Sequence, residues 1–314
     1  MPRYLYSAVI VAALAAGMTL PALAQMRYPF TLDNCGVAVT IESPPRRAVA
    51  IKSTAIEMLL ALGLADRLVG TAFADGPVPE PWAAEVPVLS DKLPAQEVVL
   101  ETEPDFIYGG WESNFSGDGA GERGSLATLG LDSYVSPAAC RTSKPAKLGF
   151  EDVFAQIEEM GRIFDVETNA EALVHQQRAQ LASVEPDGRG LTALWYSSGT
   201  RTPYVGAGAG APEMMLEALG LRNIMSDVSE GWLSARWEAI ADADPDVIVL
   251  VDASWNSAEQ KRQLLAENPI TSQLEAVKNG RYLVVPFPAS EAGVRNASAV
   301  VDMAKQLAAL DAGN

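Results

Sequence analysis

Short apolar runs alternate with amphipathic stretches along this chain. Residues 48–51, 68–71, 106–108 and 133–135 are compact runs of apolar or β-favouring residues, which reads as buried strands. Residues 53–62 lie between the first two runs. Ser53 or Thr54 is placed to cap a helix there, Glu57 falls in its first turn, and Gly63 stops it. Residues 96–100 give a further turn or two of helix, and 126–129 a short segment ended by Gly130. The character then changes. Apolar residues at 150, 153, 154, 157, 160 and 164 keep helical period. Thr168 and Glu171 have capping-box spacing at the head of a second helix over 168–184, which would be about 25 Å long. The second half resumes the earlier rhythm, with strands at 191–196, 247–251 and 282–285 and helices at 213–219, 257–267 and 296–310. This alternation predicts an α/β fold with parallel-rich sheets in two lobes. The segment between them is not rich in Gly or Ser, so the connection is expected to be stiff.

One phrase occurs in both halves. Glu97 precedes Pro104-Asp105 by the same spacing as Glu238 precedes Pro245-Asp246. Upstream of each copy is a second shared phrase, from Glu57 to Gly63 and from Glu213 to Gly220. Two copies of a motif pair predict two similar lobes with a cleft between them. The expected division is a signal segment over 1–24, an N-terminal lobe over 25–149, a linker over 150–186 and a C-terminal lobe over 187–314.

The first residues change the picture of compartment. Arg3, an apolar core over 8–16 and small residues at Ala22 and Ala24 have the form of a cleaved export signal, so a soluble periplasmic protein is expected. The apolar run is shorter than the roughly 20 residues a membrane-spanning helix needs. No cysteine lies near the cleavage site to take a lipid. Cys35 and Cys140 both remain after cleavage. An even count in an oxidising compartment favours a disulfide, with two buried thiols as the alternative. The formal charge of −17 argues against nucleic acid. A single histidine, His175, and two cysteines are too few for a zinc site, and no metal site or intrinsic cofactor is expected.

Candidate chemistry gathers where strands give way to loops. Phe73, Trp111, Tyr196, Tyr204, Trp232, Trp255 and Phe287 fall there, and ligands of open α/β sheets bind beyond the carboxyl ends of strands. Lys52, Arg201, Arg236 and Arg295 are scarce cations near predicted loops, suited to an anionic group on a ligand, with an ion pair between Arg295 and Glu291 as the alternative. The loop of Gly206, Gly208 and Gly210 lacks the third glycine of a dinucleotide fingerprint and the lysine of a P-loop, so it reads as a tight connection. Ser197 and Ser198 with His175 are the one pairing that an exported α/β enzyme would use, and no nucleophile elbow accompanies them.

The phrases Thr54 to Leu64, Glu97 to Ile107, Glu213 to Leu221 and Glu238 to Ile248, in that order around a helical linker, resemble class III substrate-binding proteins of ABC importers. That family carries ferric siderophores, haem and cobalamin. The resemblance implies two Rossmann-like lobes joined by a rigid linker helix, acting as a monomer with no catalytic residue. It implies a metal chelate or related anionic organic ligand carrying iron or cobalt, and an ABC permease with its ATPase as partners. It also implies that Glu97 and Glu238 dock onto the permease. By position in the pattern, ligand contacts would come from Phe73, the Gly109 to Trp111 loop, the Tyr196 to Tyr204 loop with Arg201, Trp232 and Arg295; Lys52 and Trp255 are further candidates by their place at predicted loops. Haem is the alternative ligand and would need a Tyr, Met or His at the iron. Stretches at Trp255, at 279–282 and from Glu291 to Asn296 resemble a narrower clade of importers for a deazaflavin-cofactor precursor.

Overall fold

Alternation in residues 30–41 folds as a hairpin, β1 (Phe30–Asn34) against β2 (Val37–Ile41), in the computed structural model that describes residues 28–143, 146–312 and Met1. The expected export signal, Met1 apart, lies outside the described residues. Cys35 and Gly36 make the hairpin turn at positive φ, and Cys35 is joined to Cys140 in a disulfide with Cα atoms 5.3 Å apart. The Asn34 side chain both donates to and accepts from the Val135 backbone at 2.8 Å, so the hairpin is fastened to the lobe at two adjacent points.

The N-terminal sheet contains β3 (Ala48–Ile51), β4 (Leu68–Ala72), β5 (Val88–Ser90), β6 (Phe106–Gly109) and β7 (Asp132–Val135). Its order is β5-β4-β3-β6-β7, with every pairing parallel. The helices α1 (Ser53–Ala61), α2 (Gln96–Leu100) and α3 (Arg123–Thr128) lie between its strands in sequence. Neither Ser53 nor Thr54 caps α1 as expected. Lys52 takes the N-cap position at φ 80°, and Ser53 instead accepts the Asp75 N–H at 2.8 Å.

Two helices follow, α4 (Phe150–Phe164) and α5 (Glu167–Ala182). The capping box expected at Thr168 does not form, because α5 begins one residue earlier, after an uncapped Val166. Asp165 in a left-handed conformation turns the chain sharply between the two helices, and a Cβ on Gly161 would stand 2.5 Å from that of Ala170. That close packing sets where α5 starts. Asn169 on α5 donates to the Leu62 carbonyl at the end of α1, and Gln177, two turns on, donates to Val294 in the C-terminal lobe. Leu173 and Val174 join one buried cluster that contains Leu59 and Met160 as well as Met215 and Val300. The linker is thus packed into a core shared by both lobes.

The C-terminal sheet contains β8 (Thr192–Ser198), β9 (Tyr204–Gly206), β10 (Arg222–Asn223), β11 (Trp232–Ser234), β12 (Val247–Asp252) and β13 (Tyr282–Pro286). Its order is β11-β9-β8-β12-β13, with β10 also beside β8. The pairs among β8, β10, β12 and β13 are parallel, while β9 and β11 form an antiparallel extension that the apolar pattern did not disclose. The helices here are α6 (Ala211–Ala218), α7 (Trp237–Ala243), α8 (Ala258–Glu267), α9 (Glu275–Lys278), α10 (Phe287–Ser290) and α11 (Asn296–Ala312). The fold is α/β with two lobes and parallel-rich sheets, as the sequence predicts.

The repeated phrase has a repeated structural job. Asp105 accepts the N–H groups of Arg46 and Arg47 just before β3, and Asp246 accepts the N–H and hydroxyl of Thr192 at the start of β8. Glu103 and Asp244, each before the proline, both have positive φ, and Val99 and Ile240 are both fully buried. Gly63 and Gly220 close α1 and α6 at φ 78° and 73°, followed by matching bonds from Leu64 to Leu59 and from Leu221 to Leu216.

Candidate ligand-binding cleft

The carboxyl ends of the parallel strands in both lobes open onto one cleft of about 700 Å³. This is the size of an ordinary small-molecule site. Trp111, just beyond β6, comes from the N-terminal lobe; Tyr204, Trp232, Trp255 and Phe287 come from the C-terminal lobe. Tyr204 and Trp232, on the paired strands β9 and β11, stack at 5.7 Å with planes 12° apart. Trp255 meets Phe287 edge-on at 5.6 Å, and its own surface is 59% exposed. Such faces offer flat apolar area with little conformational freedom to lose.

Lys52 lies under this wall. It is 2% exposed, bonded to Asp75, with its ammonium 3.8 Å from the Trp111 ring centre and 4.1 Å from that of Phe73. Its charge is already matched by a carboxylate and two rings, and it is absent from the cleft surface. Phe73 packs edge-on against Trp111 at 6.2 Å and supports it from behind. Gly110 lets the backbone pass this point, since a Cβ there would stand 2.4 Å from the Thr54 hydroxyl.

Of the other expected contacts, Tyr196 is buried in the C-terminal core against Trp237 and donates to the Gly199 carbonyl. It points away from the cleft, on the face of β8 opposite Ser197, while Ser198, beyond an irregularity in the β8–β9 pairing, also reaches the cleft. Arg201 is exposed in the turn after β8 and does not line the cleft. Arg295 is engaged with Glu57, not with Glu291. Its guanidinium makes bonds of 2.5 and 2.6 Å to the two carboxylate oxygens and a third to the Pro77 carbonyl. The structure therefore brings together Trp111, Tyr204, Trp232 and Trp255, while Lys52 and Phe73 stand behind them.

Three groups on the wall were not among the ligand contacts expected from the sequence. Arg141, next to the disulfide, is exposed at the cleft. Glu112 accepts the Arg141 backbone N–H at 2.6 Å and lines the same edge. Glu291 is partly accessible from the cleft, and burial of the rest of its carboxyl pushes its pKa up to about 7. A hydrogen bond from Trp111 and the Lys52 charge pull it down, and the Asp75 charge pushes it up. Glu291 was named from the sequence only as a partner for Arg295, and it follows α10 directly. The Cys140 pairing, once drawn, marks Arg141.

The glycine loop does not offer a phosphate cradle. Ala207, Gly208 and Ala209 spend their N–H groups on the carbonyls of Gly231, Val228 and Glu230. Ser197 and Ser198 line the cleft, but His175 is exposed on α5 and the pair with it is not assembled. Among the described residues no group of His, Cys, Asp and Glu is arranged to hold a metal ion, and no helix is long and apolar enough to cross a membrane. Glu97 and Glu238 are exposed in the first turns of α2 and α7, as corresponding residues of the two lobes.

Comparison with known proteins gives a consistent picture. The profile of the periplasmic binding protein family matches residues 49–289. An uncharacterised ABC transporter substrate-binding lipoprotein of Bacillus subtilis (strain 168) is 25% identical over 288 residues, covering 89% of this chain and 86% of its own. The crystal structure of a periplasmic binding protein from Veillonella parvula superposes with a TM-score of 0.80 at 27% identity, covering 88% of this chain and 97% of that one. An ABC-type Fe3+-hydroxamate transport protein from Saccharomonospora viridis gives 0.75 at 26% identity, covering 89% and 99%.

Proposed function

The chain belongs to the periplasmic binding protein family, and from that premise we propose that it captures a ferric chelate of hydroxamate type between its lobes and passes it to an ABC permease with its ATPase. It is a binding protein and not an enzyme. The observation that carries the ligand reading is the aromatic cleft, with Trp111 on one side and the Tyr204–Trp232 stack on the other. A bulky chelate with an apolar periphery fills such a space by burying its skeleton against rings. The named cargo of the Saccharomonospora relative supports hydroxamate chemistry and iron over cobalt. Haem is less well served. Among the described residues that line the cleft, Tyr204 is the one Tyr, Met or His that could ligate haem iron, and burial, then the Glu291 charge, hold its phenol protonated.

In this reading residues 25–149 and 187–314 are the lobes, 150–186 the linker, and residues 1–24 an export signal that delivers a soluble monomer to the periplasm. Glu97 and Glu238 are the docking points, one per lobe. Their shared phrase explains Asp105 and Asp246 structurally but leaves the glutamates in solvent. A tryptophan-fluorescence titration of the mature protein tests the ligand, with a ferric trihydroxamate, haem, a corrinoid and the deazaflavin precursor as probes. Saturable quenching at submicromolar ferric trihydroxamate is expected, and a response to one of the other probes alone would replace it. Glu97→Arg and Glu238→Arg are expected to keep that affinity and abolish uptake by cells.

A further inference from the structure

The cations that an anionic ligand would need are committed elsewhere. Lys52 is matched by Asp75 beneath the cleft wall, Arg295 is held by Glu57 and Pro77, and Arg201 stands off the cleft. What the cleft presents instead is carboxylate and ring. Glu291 sits on the wall with its carboxyl largely enclosed, beside the Trp111 indole and within the field of the Tyr204 phenol.

Arg141 is the opposing charge, and its position decides the balance. It is exposed to solvent, where a unit charge at 4 Å is worth about 1 kcal/mol and is screened further by salt. Glu291 acts from a less polar pocket, where the same separation is worth several times more. Aromatic rings elsewhere on the cleft wall favour a cation over an anion. Resting on the chelate reading above, we infer that Glu291 sets the charge class of the ligand, and that the cleft selects a ferric chelate bearing a cationic ammonium group, seated against Glu291, over an anionic one.

The groups facing Glu291 are Lys52 at the end of β3, Asp75 after β4, Trp111 after β6 and Tyr204 on β9. With its pKa near 7, the carboxyl is mostly protonated at pH 6 and mostly ionised at pH 8. An ammonium ligand draws it into the ionised form, so binding at pH 7 releases a proton and tightens as pH rises.

The test uses two probes with one iron core. One is a linear ferric trihydroxamate ending in a free primary amine; the other is the same complex with that amine acetylated. At pH 8 the mature protein is expected to bind the ammonium complex about tenfold tighter, a difference of about 1.4 kcal/mol. The preference is expected to shrink at pH 6, and calorimetry in buffers of different ionisation enthalpy is expected to show proton release with the ammonium complex alone. Glu291→Gln is expected to abolish the preference, with its urea unfolding compared with that of the unaltered protein to report that the variant is folded. Equal affinities in the unaltered protein, tighter binding of the acetylated complex, or a preference that survives Glu291→Gln would overturn the inference. Failure of both complexes to bind would overturn the chelate reading and this inference with it.

Discussion

Glu57 and Glu213 occupy corresponding helices of the two lobes, and their surroundings differ in what sets the strength of an ion pair. Glu57 is 1% exposed and is gripped through both oxygens by Arg295, which itself is nearly buried and comes from the other lobe. Glu213 is also buried, but its partner Lys147 is half exposed, stands 3.6 Å away and is shared with Glu217. One Glu213 oxygen has no hydrogen-bond partner. Burial raises the pKa of both carboxyls, opposed at Glu57 by the Arg295 bonds and at Glu213 by Asn223 and Lys147. Counted back from Gly63 and Gly220, Glu213 stands one residue earlier than Glu57, which turns it by about 100° around its helix. That rotation is enough to give it a different neighbour. A repeated phrase can therefore preserve a helix and its cap while moving a charge to a new task.

The largest effect is expected from removing Arg295, because Glu57 would be left charged and unpartnered in the shared core. Arg295→Met is expected to lower stability to urea by about 3–5 kcal/mol, with Glu57→Met in the same chain recovering most of it. The loss is expected to shrink toward pH 5. A buried carboxyl with a raised pKa holds a proton that the unfolded chain has lost, so stability falls as pH rises through that range. A loss no larger than that of a surface pair, or no recovery in the double variant, would make the two lobes alike. Next come Asp105→Ala and Asp246→Ala. Each deletes exposed acceptors at a strand start, and losses of about 1 kcal/mol, equal in the two lobes, are expected from urea titration. Unequal losses would mean that the phrase supports only one lobe. Lys147→Met should be the mildest change, at or below about 1 kcal/mol, as for other half-exposed pairs.

The parts of the molecule legible in the sequence are those fixed by local chemistry. Apolar runs gave β3, β6, β8 and β12, and glycines at 63 and 220 ended their helices where expected. Ser257 caps α8 through Gln260. The cleft was legible as a set of aromatics after strand ends, since Trp111, Trp232 and Trp255 all reach it. What one chain alone does not reveal is pairing across distance. Arg295 finds Glu57 from 238 positions away, and Lys52 finds Asp75 across the turn after β4. Both cations looked free for a ligand because their partners are remote in sequence. Tyr196 differs from its neighbours only by the face of β8 it occupies, which one residue of register decides. The short strands β9, β10 and β11 hold too few residues to show a period, and pairing with β8 or with each other makes them strands.

One ligand is expected to sit between the two lobes, which share a core and are joined by the Glu57–Arg295 pair. A crystal structure of the mature protein with a ferric trihydroxamate is the decisive measurement. The chelate is expected between Trp111 and the Tyr204–Trp232 stack, with the Glu57–Arg295 bonds intact. A chelate bound outside the cleft, or lobes swung apart with that pair broken, would contradict it.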